Sequence, residues 1–142
     1  MTALRPAIVA AARAYLGVRW HHLGRGRDGL DCVGLVLAAY RDAGITLDDS
    51  PGPYARGHRG TEMLQHIAGQ GRRVPLPEAR EGDVLLFADG LYVAHVGIRS
   101  TWFGQPAVIH ARVNRRRVYE EPLTGAIGDA LRAAYRHPAL ED

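Results

Sequence analysis

Along the first sixteen residues Leu4, Ile8, Ala11, Ala12 and Tyr15 recur at helical spacing, Pro6 falls in the first turn where it is tolerated, and Gly17 supplies a stop. This pattern predicts a helix over roughly 4 to 16. From Gly17 to Gly29 glycine, arginine and histidine follow one another without periodicity, which predicts a loop. Val33, Val36, Leu37 and Tyr40 then repeat at helical spacing with Gly44 as the stop after Ala43, so Cys32 opens a second, buried helix. A proline-containing stretch around Pro51-Gly52-Pro53 predicts a long surface loop, and Met63, Leu64 and Ile67 mark a short helix after it. The helical part ends near Gly71.

Beyond that point come Val84 to Phe87, Tyr92 to Ile98, Ala107 to Ala111 and Arg117 to Glu120, short β-rich runs punctuated by Gly, Asp, Pro and Asn. Ile127, Ala130, Leu131 and Ala134 read as a last short helix, after which Tyr135-Arg136 is expected to return to the sheet as an edge strand. Helices first and strands afterwards is the pattern of an α+β fold, with N-terminal helices packed on a central antiparallel β-sheet, and not of alternating βαβ units. A chain of 142 residues suits one domain, expected to span 1–142.

Composition narrows the chemistry. A single Cys rules out an intramolecular disulfide, and all 18 basic residues are Arg, which removes the amine that Schiff-base chemistry and a P-loop need. The two serines, Ser50 and Ser100, lie outside any Gly-x-Ser-x-Gly elbow, which disfavours a serine hydrolase. No apolar run approaches the ~18 residues of a membrane span, and no charged segment with a following apolar stretch opens the chain. The expectation is a protein made in the cytoplasm without a signal peptide, any export using another route. A net charge of +3 favours approach to polyanions, nucleic acid or an anionic cell envelope.

The free thiol is the strongest chemical candidate. A cysteine at a helix N-terminus can have its pKa lowered to roughly 3.5–7.5, and Cys32 has that address. Taken alone, a Cys before an apolar helix is more often a buried structural thiol. Gly34, two residues on, lets another strand or a substrate approach the helix backbone closely. Asp31 reads either as an N-cap accepting helix amides or as a binder of a substrate amine. In Tyr92 to Ile98 strand alternation sends His95 to the face shared by Val93 and Gly97, with Ala94, Val96 and Ile98 on the other, and Gly97 leaves room beside the imidazole. The next strand brings His110. A nucleophile at a helix start, a base on a strand and a polar orienter on the following strand is the papain arrangement, with His110 fixing the tautomer of His95.

With these residues in view the chain resembles the NlpC-type, papain-like cell-wall endopeptidases over nearly its whole length. The blocks that carry the likeness are Gly29-Leu30-Asp31-Cys32-Val33-Gly34-Leu35, Glu81-Gly82-Asp83-Val84-Leu85-Leu86-Phe87, His95-Val96-Gly97-Ile98 and Ile109-His110-Ala111. By position, the resemblance implies Cys32 as nucleophile, His95 as base, His110 as third catalytic residue and Asp31 as the acidic residue that meets the free amine of a stem peptide. The family usually has Pro-Tyr-x-Trp-Gly-Gly before the nucleophile, whereas this chain has Arg19-Trp20-His21-His22-Leu23-Gly24. Trp20 falls where that Tyr would be and can offer only an indole donor. Val33 replaces the commoner Ser after the Cys, so Trp20 and Val33 join Asp31 as substrate-binding positions whose contacts differ from the family's. These departures, the Arg-rich loop and the ending Ala133-Ala134-Tyr135-Arg136 resemble the branch found with tail genes of phages and gene transfer agents. The implied activity is hydrolysis of the γ-D-glutamyl to diaminopimelate bond of peptidoglycan stem peptides, with phage-like tail proteins as partners, action at the cell wall and no cofactor.

Four other readings stand beside it. Cys32, His21, His22, His95 and His110 are possible zinc ligands, but their spacing matches neither Cys-x-x-Cys nor His-Glu-x-x-His, so no metal is expected. Arg115-Arg116-Arg117 raises nucleic-acid binding, yet no aromatic residues interleave with it and a solvated turn is expected instead. The same fold could serve as a structural tail component with vestigial activity. It could also act as an amidase or acyltransferase, since fold does not fix substrate.

Overall fold

The computed structural model of the chain describes residues 3–49, 61–89 and 92–141; the expected loop around Pro51-Gly52-Pro53, with Ser50 and His58, lies outside them. Helix α1 covers Leu4–Arg13 and α2 covers Cys32–Asp42. Between them β1 (Arg25–Gly26) and β2 (Gly29–Leu30) pair as a miniature hairpin where an irregular loop was expected. Helix α3 covers Thr61–Ala68. The remaining chain builds one antiparallel sheet of β3 (Arg72–Val74), β4 (Val84–Asp89), β5 (Tyr92–Trp102), β6 (Gln105–Arg112), β7 (Arg117–Pro122) and β8 (Leu131–Arg136), ordered β3-β8-β4-β5-β6-β7. The short α4, Gly125–Ala130, precedes β8.

Period-two alternation assigns the two faces of this sheet. Val84, Leu86, Val96, Ile98, Ile109, Ala111 and Val118 meet Ile8, Val9 and Ala12 of α1 and Val33, Val36 and Tyr40 of α2 in the main core. Val74, Leu85, Phe87, Val108 and Ala134 form a smaller cluster on the other face, closed by Ile127 of α4. Each fully buried aliphatic side chain contributes roughly 1.5–3 kcal/mol, so the main cluster fixes how α2, and with it Cys32, sits against β5.

Three further expectations change. Tyr135-Arg136 belongs to a strand inside the sheet, between β3 and β4, and Leu131 and Ala134 lie in that strand rather than in the preceding helix. The edge is β3, whose Arg72-Arg73-Val74 is too short and too charged to announce a strand. In β5 the register slips: Phe87 pairs with His95 but Ala88 pairs with Val93, leaving Ala94 as an extra, bulged residue. The bulge reverses the facing of what precedes it, so Val93 packs with the main core while His95 keeps company with Phe87 on the other face.

The Glu81-Gly82-Asp83 block is a structural knot. Asp83, with no exposed surface, accepts Nη1 of Arg5 at 3.1 Å, Nε and Nη2 of Arg136 at 3.2 and 2.9 Å, and the amide of Arg80 at 2.8 Å. Gly82 turns the chain at φ +91°, and its carbonyl accepts the Tyr40 hydroxyl. One buried carboxylate thereby ties α1, β8 and the start of β4 together, and its glycine neighbour adds α2.

Candidate active site

The site begins at the start of α2. Asp31 is extended at φ −94° and ψ −175°, and its carboxylate caps the helix by accepting Gly34 N at 2.8 Å. The same carboxylate accepts Leu23 N and Nη1 of Arg25, each at 3.0 Å. Asp31 is thus buried and bonded to the loop, the β1 strand and its own helix. Gly34 permits this closeness: a Cβ there would lie 2.0 Å from the Gly24 carbonyl oxygen. A close approach by a strand or a substrate was expected at Gly34; the loop at Gly24 makes it.

Cys32 then meets β5 where two strands part. The β5–β6 ladder runs from Trp102–Gln105 to Ile98–Ile109, whereas β6 continues to pair with β7 as far as Arg112–Arg117. Just past the end of the β5–β6 ladder, the backbone N–H of Val96 donates to the Cys32 sulfur, and the amides of Val33 and Cys32 itself also favour its thiolate. The sulfur therefore lies against the residue next to His95, and Cys32 keeps partial exposure.

The expected lowering of the Cys32 pKa is not found. Burial, and after it the charge of Asp31, pushes the thiol up to about 12, outweighing the three amides. Desolvation of the thiolate wins over the helix N-terminus. His95 is displaced the opposite way, well below its ordinary 6.5, first by burial and then by His110 and the charge of Arg112. The resting pair is a neutral thiol and a neutral imidazole.

Behind His95 runs a chain of hydrogen bonds. His95 Nε2 is 2.7 Å from His110 Nδ1, and His110 Nε2 is 2.8 Å from Glu121 Oε2. His110 has no exposed surface; burial lowers its pKa against the opposing pull of Glu121. The phenol of Tyr119 also bonds Glu121, and these two hydrogen bonds, with the Arg112 charge, hold its carboxyl below the usual range. Phe87 lies 5.5 Å from the His95 ring and 6.1 Å from that of His110, and the Tyr119 ring lies 4.7 Å from His110. At Gly97 a Cβ would come within 2.5 Å of Val108 Cγ2 and 3.1 Å of His110 Cβ, so glycine makes the room that the imidazole pair needs.

The other candidates are placed less centrally. Val33 is fully buried in the core, because position 33 of α2 faces the sheet; its amide, not its side chain, faces the sulfur. Trp20 is half-buried, donates its backbone N–H to the Arg116 carbonyl at 2.8 Å and stacks on His22 at 6.4 Å, while His21 is exposed. Arg115 and Arg116 lie in the β6–β7 turn and Arg117 opens β7, with Arg115 over the Tyr119 ring at 4.6 Å. Among the described residues no group of three or more His, Cys, Asp or Glu could hold a metal ion. No helix among them is long and apolar enough to cross a membrane. Glu121 and Arg25 are polar members of this neighbourhood that sequence reasoning missed. The signal for Glu121 was the β6–β7 register, which sets Tyr119 opposite His110 and Glu121 on the same face two residues on.

The NlpC/P60 family model matches residues 17–134. Over 130 residues the chain is 32% identical to a protein of Mycobacterium tuberculosis (strain ATCC 25618 / H37Rv) named as a probable endopeptidase, covering 90% of this chain and 29% of that protein. It thus spans less than a third of that relative's length. A crystal structure of an NlpC/P60 family protein from Bacillus cereus ATCC 10987 superposes with a TM-score of 0.71 at 23% identity, over 94% of this chain and 40% of the other. The NlpC/p60 domain of the peptidoglycan hydrolase SagA gives 0.68 at 22% identity, over 93% and 97%. The family match takes in Cys32, His95 and His110, and it covers most of the chain: this chain belongs to the NlpC/P60 family.

Proposed function

We propose that this chain is a cysteine endopeptidase of the cell wall that hydrolyses the γ-D-glutamyl to diaminopimelate bond of peptidoglycan stem peptides. The observation that carries the reading is the position of the Cys32 sulfur, bonded to the amide next to His95, with His110 directly behind that imidazole. Cys32 is the nucleophile, His95 the general base and acid, and His110 the residue that orients it. With both partners neutral at rest, the proton leaves the sulfur for His95 as the carbon–sulfur bond forms. The imidazolium then gives that proton to the departing amine as the amide C–N bond breaks, leaving a thioester. Water, deprotonated by the freed imidazole, displaces the sulfur and restores the thiol. The Cys32 backbone amide at the start of α2 is the natural donor to the oxyanion, a contribution worth roughly 10²–10³ in rate.

Asp31 meets the free amine of the stem peptide by exchanging its contact with Arg25, which is one-third exposed and able to swing away. Trp20 contributes an apolar wall from the loop before α2. We assign the protein to a phage-like or gene-transfer-agent tail, acting locally at the cell wall, on the likeness of its Arg-rich loop and its Ala133-Ala134-Tyr135-Arg136 ending to that branch. The test is mass spectrometry of peptidoglycan fragments incubated with the wild type and with Cys32→Ala. New termini at the glutamyl–diaminopimelate bond are expected from the wild type alone; equal cleavage by both proteins removes Cys32 from the mechanism.

A further inference from the structure

Glu121 is an acceptor-only group at the end of a chain whose other members are ambivalent. A neutral imidazole donates from one nitrogen and accepts at the other, and nothing within the ring decides which. Two imidazoles in series, His95 Nε2 to His110 Nδ1, can therefore be arranged in two opposite directions. In one, both rings carry their proton on Nε2, leaving His95 Nδ1 free to take a proton. In the other, both carry it on Nδ1, and His95 has no free acceptor on that side. A carboxylate cannot donate, so Glu121 Oε2 at 2.8 Å from His110 Nε2 requires the proton there. His110 Nδ1 must then accept, and His95 must donate from Nε2. The direction of the whole chain is set from its far end.

We propose that Glu121 is a positioning residue that fixes the tautomers of His110 and His95, so that His95 presents an unprotonated Nδ1 to the thiol. This deepens the reading of Cys32 and His95 as the reacting pair and rests on it. When His95 becomes imidazolium, its Nε2 proton stays bonded to the neutral His110, whose own proton faces the Glu121 carboxylate; the new positive charge meets a negative one two hydrogen bonds away. The Tyr119 phenol holds that carboxylate in place as a second donor. The adjacent Glu120 does none of this. It points to the opposite face, where it accepts the Ser100 hydroxyl at 2.7 Å and pairs with Arg13 of α1 at 2.8 Å.

The experiment compares wild type, Glu121→Gln, Glu121→Lys and, as control, Glu120→Gln. Two readouts are taken: ¹⁵N NMR of the histidine ring nitrogens, which reports tautomers without any turnover, and hydrolysis of peptidoglycan fragments. In the wild type both rings are expected as the Nε2–H form. Gln can donate or accept, so Glu121→Gln should mix the two directions and lower kcat about tenfold with KM unchanged; Lys can only donate, so Glu121→Lys should invert both rings and cost about a hundredfold, the low end of general acid–base contributions. Glu120→Gln should leave the tautomers in place. Should Glu121→Lys fail to fold, the wild-type and Gln spectra still decide. The proposal is overturned if wild-type His110 carries its proton on Nδ1, or if the Gln variant keeps wild-type tautomers and a rate within twofold. Failure of the Cys32 assignment would show separately, as cleavage by Cys32→Ala, with the tautomer result standing on its own.

Discussion

Two carboxylates, Asp83 just before β4 and Glu121 in β7, show how differently one functional group can be used. Asp83 is sealed from solvent and answered by two guanidiniums from α1 and β8, groups that can only donate. Donor and acceptor roles in that cluster are fixed, so it serves as a lock. Glu121 keeps a quarter of its side chain exposed and is answered by an imidazole and a phenol. Those partners can each hold their proton in more than one way, so the cluster has a direction as well as a shape. The lesson is that the partner's chemistry, more than the depth of burial, separates a structural carboxylate from one that conditions reactivity.

The largest break in this comparison should come from stability. Asp83→Ala leaves Arg5 and Arg136 facing an empty cavity, and removing one side of a buried ion pair costs about 3–5 kcal/mol. Glu121→Gln keeps the shape and one face open to water, so roughly 1 kcal/mol or less is expected. Urea denaturation of both variants checks it; similar losses would erase the distinction between lock and relay. Next in size is Gly97→Ala, whose methyl would collide with Val108 and crowd His110. Overpacking of this kind costs roughly 1–3 kcal/mol, and the displaced imidazole should lower turnover more than tenfold. Full activity in a folded Gly97→Ala protein would show that the imidazole pair tolerates displacement.

A pH titration of stability should expose the same contrast at about 1 kcal/mol per pH unit for each histidine that stays neutral in the fold. Burial lowers the native pKa of His95 and of His110, so below about 6.5 the unfolded chain binds protons that the native chain does not. Their contribution is fully present above pH 6.5 and is lost as pH falls toward the native values. Urea midpoints measured from pH 8 to 5 should fall, and His95→Gln should flatten the slope. An unchanged slope would mean that His95 takes up its proton without penalty in the native state.

Much of this arrangement was readable before any coordinates. Period 3.6 around Cys32 and Tyr40, period 2 around His95 and His110, and Gly17 and Gly44 as stops locate α1, α2 and the central strands to within a few residues. What escaped depended on pairing between distant segments. Nothing near Ala94 signals a bulge, because the extra residue exists only relative to Phe87 and Ala88 of β4. Glu120 and Glu121 look alike in sequence; only the β6–β7 register sends one to Arg13 and the other to His110. The Cys32 pKa departs from what its helix position predicts for a related reason. Helix position is a local property and predicts a lowered value, whereas desolvation comes from strands far along the chain, and it dominates.

The smallest expected change in stability carries the sharpest chemical test of that last point. Asp31→Asn retains an N-cap of equal quality, so the fold should lose no more than a few tenths of a kcal/mol beyond the Arg25 contact, itself partly exposed and worth under about 1 kcal/mol. The substitution deletes the negative charge that, after burial, most raises the Cys32 thiol. The thiolate should become easier to form, and the pH dependence of Cys32 alkylation by iodoacetamide should move to lower pH. A move the other way would mean that Arg25, freed from its carboxylate, turns away and that the pair as a whole was helping the thiolate. Because burial remains the larger cause, the shift should not restore an ordinary thiol. The rest of the displacement belongs to the contact between α2 and β5, where the amide of Val96 and the imidazole of His95 must do what the helix terminus alone does not.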